Sequence, residues 1–306
     1  MRALDAPDRI GIAVSGGADS LALLLLAAEA IPSDIEAVTI DHRLRPDSGH
    51  ECEHVARICT TLSVRHETIA VEVTDRNVQS GARNARYTAL QDWASRRKLP
   101  AIATAHHADD QAETMLMRLN RGSGLSGLAG IRPDRLLQNA QTRVLRPLLD
   151  WRKAELVAIC GASPFQPVDD PSNRNTAFDR VAMRQNLAQA EWLDPSAIAT
   201  SASHIAAADA YLKHMLNIVW TERVSFEAGE DCYTCTRAGF RFENIEIVLR
   251  ILERMGAKAR RSDVAMMVSR LERGENSSLG GVLATVRKTD GSWHFATEPA
   301  RSGPRG

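Results

Sequence analysis

Net charge is the first thing this sequence lacks. Thirty-eight basic residues balance 38 acidic ones over 306 residues, so no bulk field marks the chain as a binder of nucleic acid, and any RNA contact must come from a local patch. Lysine is scarce as well: 33 of the 38 basic residues are arginine and five are lysine. Arginine is the better phosphate fork and base-stacking partner, although genome base composition produces the same leaning. Long hydrophobic runs are missing. The greasiest stretch, Leu21 to Ala28, is too short to span a bilayer, and the opening "MRALDAPDRIGIAV" has no apolar signal core. Cysteines are few, odd in number and scattered, at 52, 59, 160, 232 and 235. That excludes a disulfide framework and points to a reducing, cytoplasmic setting. Internal repeats and low-complexity segments are also absent.

What is present is a rhythm. Apolar runs at Ile10–Val14, Ile35–Asp41, Val64–Val71 and Ala101–Thr104 read as strands. Between and after them, Asp19–Ala30, about Asp47–Leu62, Gln79–Lys98 and Ala108–Leu119 carry helical patterning. Val144–Leu148 adds a fifth strand and Trp151–Cys160 another helix. Such alternation predicts an α/β fold, a mostly parallel sheet covered on both faces. After about residue 185 the rhythm changes. An Ala-rich stretch, 194–220, reads as one long helix, followed by short strand-like pieces and two helices near Glu243–Met255 and Ser262–Arg273. The expected organisation is a first domain over 1–190, a linker helix over 191–220 and a smaller α+β domain over 221–306.

"VSGGADS" (14–20) sits between the first strand and the first helix. Backbone N–H groups of Gly16, Gly17 and Ala18 at a helix N-terminus form an anion cradle, and Ser15 and Ser20 add hydroxyls. The alternative is a tight strand-to-helix turn capped by Ser and Asp. No lysine follows the glycines, so this is not a Walker A loop, nor is it G-x-G-x-x-G. An aspartate inside a phosphate loop repels its ligand unless a cation intervenes, which makes Asp19 a candidate Mg²⁺ contact. The loop at 15–20, "DHRLRP" (41–46) and "AHHADD" (105–110) each follow a strand. In a parallel sheet they share one rim.

In "TAHHADDQAETMLMRLNRGSGLSGLAGI" (104–131), Asp110 and Glu113 stand three apart and share a helix face, with His106 just before it. The pair suits a cationic substrate, and a His or carboxylate suits proton removal. A solvated acidic first turn favoured by the helix dipole is the plain alternative. Glycines at 122, 124, 127 and 130 suggest a mobile loop beside the site.

The pattern S-G-G-x-D-S resembles the pyrophosphate loop of the N-type ATP pyrophosphatases. Joined by "TIDHRLRPDSGHE" (39–51), "QSGARNARY" (79–87) and "DDPSNRNTAFDRVAMR" (169–184), it narrows the resemblance to the tRNA(Ile)-lysidine synthetases, in their short form with one C-terminal domain. The resemblance runs through about 8–190 and continues more loosely to about 298. It implies a Rossmann-like ATP pyrophosphatase domain, a C-terminal domain that holds tRNA, and ATP with Mg²⁺ as cofactors. It further implies L-lysine and tRNA(Ile) with a CAU anticodon as substrates, the lysine amine displacing AMP from an adenylated wobble cytidine. On these positions Ser15, Gly16, Gly17, Ala18, Asp19, Ser20 and Asp41 would hold the nucleotide, with Asp19 on the metal. Asp110 and Glu113 would grip the lysine and His106 would stand beside the reacting centre. Arg86 and Arg180 would be phosphate or carboxylate forks, with a surface role the alternative for Arg86.

The chain departs from the family at Ala105, where a glycine often precedes the paired histidines, and at Val181, where an asparagine often follows the arginine. "RMGAKARRSD" (254–263) is the best basic patch of the C-terminal domain, a solvated helix end being the alternative. Three rivals remain: a tRNA thiolase, an amide-forming ligase with the same loop, and a non-catalytic tRNA-binding module. The one C-x-x-C, Cys232–Cys235, lies outside the catalytic domain and lacks a second pair for zinc. Oligomeric state is left open between monomer and homodimer.

Overall fold

The computed structural model describes residues 9–43, 48–72, 78–137, 142–168, 179–228 and 231–299. The last three residues of "DHRLRP" and positions 169–178 of the fourth motif lie outside the described residues. The chain divides into two compact units, Met1–Ala207 and Ala208–Gly306.

In the first unit the strands are β1 (Ile10–Ala13), β2 (Ile35–Asp41), β3 (Arg65–Ala70), β4 (Ala101–Ala103), β5 (Asp134–Leu136) and β6 (Arg143–Leu145). The helices are α1 (Ala18–Ala30), α2 (Ser48–Thr61), α3 (Val78–Arg97), α4 (Ala108–Asn120), α5 (Leu125–Leu128), α6 (Lys153–Gly161) and α7 (Asp179–Gln189). The sheet order is β3-β2-β1-β4-β6-β5. All neighbours pair parallel except β5, which runs antiparallel along β6. This is the expected doubly covered parallel sheet with one antiparallel edge strand. The sequence hides β5 because it is three residues long, polar and mostly exposed.

Alternation along β1 distributes its side chains between two cores. Ile10 and Ile12, with Val14 just beyond, pack with Leu21 and Leu24 of α1, Val55 and Ile58 of α2, and Leu156 and Cys160 of α6. Ala13 faces Leu90, Trp93 and Ala94 of α3. Gly11 shares the α3 face, where a Cβ would lie 2.4 Å from the Trp93 ring. Only glycine lets the indole seat on the strand.

α8 (Pro195–Arg223) is a single helix running through the boundary between the two units. In the second unit β7 (Val224–Glu227), β8 (Cys232–Cys235), β9 (Ser277–Leu279), β10 (Val282–Val286) and β11 (Trp293–Thr297) form an antiparallel sheet in the order β7-β8-β11-β10-β9. α9 (Arg241–Arg254) and α10 (Arg261–Glu272) cover it. Ile247, Val248, Ile251 and Leu252 meet Val264, Val268 and Leu271 over Trp293 and Phe295. All five cysteines are buried. Among the described residues no helix is long and apolar enough to cross a membrane.

Candidate active site

β1 has β2 on one side and β4 on the other, and the chain leaves them in opposite directions, toward β2 and toward β6. Ligands of such sheets sit in the crevice where strand order reverses. Here that crevice is lined by the turn after β1 and the turn after β4, which hold the two motifs singled out in the sequence.

The first turn bends at Gly16, whose φ of 88° is a left-handed value that favours glycine. Val168 N–H donates to Gly16 O at 2.9 Å and fixes the bend. Gly17 is the extended N-cap of α1 and brings no side-chain cap of its own. The first N–H groups of the helix, from Ala18 and Asp19, lie at its positive end, where an anion is favoured. Ser20 plays a different part from the expected one. Its hydroxyl donates to Gly17 O at 3.0 Å and accepts from Ser15 N–H at 3.0 Å, with Ser15 Oγ 3.1 Å away. A hydroxyl has one proton, so Ser20 shapes the loop rather than offering a donor to a ligand.

Asp19 points across the crevice. Its Oδ2 lies 3.5 Å from His107 Nε2, while Oδ1 is buried with no hydrogen-bond partner among the described residues. Burial opposes its ionisation, but the His107 hydrogen bond and the charges of His107, Lys153 and Arg184 override it and lower its pKa. His107 itself is 1% exposed and stands 3.6 Å from Asp109 Oδ2 and 3.6 Å from Asp110 Oδ2. Burial pulls its pKa down, yet three carboxylates push it up to about 9. Asp110 N–H lies 3.4 Å from Nδ1, a long contact that a neutral ring would accept. The surrounding carboxylates favour the imidazolium, whose Nδ1–H is directed to Asp109 instead.

His106, the histidine anticipated from sequence, behaves in the opposite way. Its Nδ1 is 3.0 Å from Thr104 Oγ1. Burial first, then the charges of Arg146, Arg86, Arg180 and Arg83, drive its pKa down to about 3. It is a neutral ring on the cationic side of the crevice, able to hydrogen-bond and too weakly basic in this state to hold a proton at neutral pH.

Asp110 and Glu113 do share a face of α4, but they are not an open pair. Arg180 of α7 donates through Nη2 to Asp110 Oδ1 and through Nε to Glu113 Oε2, both at 2.8 Å. Arg184, one turn later, donates through Nε to Glu113 Oε1 at 2.6 Å and through Nη2 to Oε2 at 3.3 Å. Glu113 is 1% exposed and engaged on both oxygens. It holds arginines in place, whereas Asp110, 13% exposed, accepts one hydrogen bond on each oxygen, from Arg180 and from His107 N–H, and each oxygen keeps a second lone pair. Asp41 ends β2 and accepts from Arg43 N–H at 2.9 Å. Arg86 lies within electrostatic reach of both His42 and His106, lowering the pKa of each after burial. Among the described residues no hydrogen bond joins Arg86 or Asp41 to the loop or the carboxylate pair.

Residues 2–191 match the PP-loop domain family. Over 99% of its length the chain is 40% identical to a tRNA(Ile)-lysidine synthase of Novosphingobium aromaticivorans, 93% of which it covers. The chain belongs to the tRNA(Ile)-lysidine synthase family. A second relative of that name, from Zymomonas mobilis, is 36% identical over 96% of this chain and 89% of its own. Among solved structures, a U34-tRNA thiolase from Methanococcus maripaludis superposes with a TM-score of 0.54 at 15% identity, covering 70% of this chain and 76% of that one. That likeness is one of fold.

In this lysidine synthase family member the two turns named from the sequence meet at one crevice, and several side chains there were not among those named. His107 sits beside His106, and only the exit geometry of β4 decides which ring goes under the nucleotide loop. Its signal was the position itself: His107 is the N-cap of α4, and its backbone N–H donates to Asp110 Oδ2. Arg184 follows Arg180 at helical spacing and was readable as the same face of α7. Asp109 was hidden in the acidic run. It accepts from Lys153 N–H at 2.8 Å and from Arg152 at 3.2–3.3 Å, tying α4 to α6. The glycine-rich segment after α4 is also tied down. Arg118 donates to Gly127 O at 2.7 Å and Gly130 O at 3.0 Å, and the Gln111 amide bridges Ile131 N and O.

Proposed function

We propose that the protein joins L-lysine to C2 of the wobble cytidine of tRNA(Ile) bearing a CAU anticodon, with ATP converted to AMP and pyrophosphate. The near full-length kinship carries this reading, and the uncapped loop at the sheet's reversal point supports it. In the first step cytidine O2 attacks the α-phosphorus of ATP and pyrophosphate leaves. In the second the lysine amine attacks C2, and O2 departs with AMP. The protein's task is to align three substrates and to stabilise charge that develops on phosphate and base.

Ser15 through Ser20 hold the pyrophosphate portion, chiefly through backbone N–H groups at the start of α1. Asp41 is assigned to the nucleotide as well. The buried Asp19 Oδ1, without a partner among the described residues, fits a Mg²⁺ ion, which takes one or two carboxylates and completes its shell with phosphates and water. Such an ion would neutralise phosphate charge beside Asp19. No group of three or more His, Cys, Asp or Glu able to hold a metal occurs among the described residues, in keeping with a cation that arrives with the nucleotide. Asp110 receives the lysine ammonium, with Glu113 setting Arg180 and Arg184 around it. Arg86 and Arg180 face phosphate, and neutral His106 stands at the base. Residues 1–190 carry the chemistry, 191–220 link, and 221–306 hold the tRNA body, with the exposed Arg254, Lys258, Arg260 and Arg261 as its basic face. The reaction is placed in the cytoplasm, where thiols persist, and the protein is assigned as a homodimer.

A thiolase would need a reactive thiolate in the crevice. Cys52, Cys59 and Cys160 of the first unit are buried, and burial raises each thiol pKa, that of Cys59 to about 12. The test is an intermediate. With tRNA and ATP labelled at the α-phosphate, but no lysine, label should enter tRNA as AMP and leave when lysine is added. Transfer of label that lysine cannot chase would sink the assignment.

A further inference from the structure

His107 is a buried ring shared by two halves of the site. Nε2 lies 3.5 Å from Asp19 and 3.6 Å from Asp110, and Nδ1 lies 3.6 Å from Asp109. Asp19 belongs to the nucleotide loop, while Asp109 and Asp110 open α4. Asp110 continues to Arg180, and Arg180 to Glu113. The side chains of Asp19, Asp109 and Asp110 keep 33%, 21% and 13% of their surface exposed, but the ring keeps 1%. It is the buried hub of an acidic cluster whose members face the crevice.

We propose that His107 is a positioning residue for nucleotide activation: it pins Asp19 Oδ2 against α4 so that Oδ1 faces the cation that accompanies ATP. The inference rests on the reading of Asp19 as that cation contact. The geometry supports it in three ways. First, Asp19 has one oxygen on the ring and the other buried without a partner among the described residues, so the ring decides which oxygen is free. Second, the ring is itself held. Its backbone N–H donates to Asp110 Oδ2 at 3.1 Å at the N-cap position of α4. Third, three carboxylates converge on one ring. Without it they repel one another in a site partly closed to water, and Asp19, the most exposed of the three, turns away.

The role is distinct from that of Asp110. His107 touches no substrate in this assignment and acts through Asp19, so its loss should appear in cation and nucleotide use before lysine use. The test is a double-mutant cycle with Asp19→Asn, His107→Asn and both together. Thermal melts set the folded fraction, and calorimetry measures ATP affinity with and without Mg²⁺ in the absence of tRNA and lysine. The Mg²⁺-dependent gain in ATP affinity should fall about tenfold or more in His107→Asn. The double variant should be no worse than Asp19→Asn, because coupled residues lose the same interaction once. Steady-state rates should show raised Mg²⁺ and ATP requirements with lysine KM within about twofold of the parent.

Losses that add across the cycle, or a lysine KM that rises as much as the ATP KM, would overturn the role of His107. If Asp19→Asn alone leaves the Mg²⁺ gain intact, the cation reading of Asp19 fails instead. Should His107→Asn fail to fold, the cycle is run with His107→Gln, whose longer side chain fills more of the ring's volume. Additive losses there count against the proposal in the same way.

Discussion

At the scale of single residues, Arg180 spanning Asp110 and Glu113 makes the two acids unequal. Glu113 is closed in by two arginines while Asp110 keeps 13% of its side chain exposed, so on the proposed reading the effect on lysine is expected at Asp110. A charged hydrogen bond is worth roughly 1.5–3 kcal/mol, and its loss in Asp110→Asn should raise lysine KM about 10- to 150-fold. ATP affinity should stay near the parent value. An ATP affinity that falls first, with lysine KM unchanged, would assign Asp110 to the nucleotide. His106 gives a second prediction. Its pKa is about 3 in the folded protein against an ordinary 6.5, so between these values the unfolded chain binds a proton that the native ring refuses. Stability from this group is present above pH 6.5 and is lost as pH falls toward 3. Unfolding of His106→Asn should show a shallower decline from pH 6.5 to 4.5 than the parent, and equal slopes would contradict the neutral buried ring. The pair also shows where legibility ends. Two identical neighbours in "AHHADD" acquire opposite protonation states because one meets arginines and the other meets carboxylates brought in from α1 and α4. No local pattern in the sequence carries that information.

At the scale of elements, β2 and α1 were legible almost to the residue because apolar runs alternate with helical periodicity over lengths long enough to read. β5 was not, being a short polar edge, and α5 was hidden by the glycines around it. Those glycines suggest mobility until the Arg118 and Gln111 contacts are seen, which are long-range facts of packing. The C-x-x-C on β8, already set outside the chemistry by its place in the chain, is a structural pair. Successive strand residues alternate faces, so positions 232 and 235 point to opposite sides, and both thiols are buried at 0% and 1% exposure. Burial also raises the Cys235 pKa to about 12. Replacing both by Ser puts hydroxyls into buried positions at about 1–3 kcal/mol each. The second unit should then melt several degrees lower, with kcat per folded molecule unchanged at low temperature. A loss of turnover at an unchanged melting temperature would reassign these thiols to chemistry.

At the scale of the whole molecule, a chain of zero net charge must recognise a polyanion by local concentration. The first unit gathers Arg83, Arg86, Arg146 and Arg180 around His106. The second exposes basic residues near the start of α10, although Arg254 lies over the Trp220 ring at 4.9 Å and Arg261 over Phe242 at 5.2 Å, with Glu246 also on Arg261. These arginines are already oriented by aromatic faces, which favours contact over diffuse attraction. That this molecule makes lysidine is read from the identity of its product. The protein is incubated with ATP, labelled lysine and total tRNA, and the tRNA is digested to nucleosides. Label should appear in one modified cytidine, from tRNA(Ile) with the CAU anticodon, with one AMP released per lysine incorporated. Label in another nucleoside, or AMP formed without lysine entering tRNA, would contradict the account.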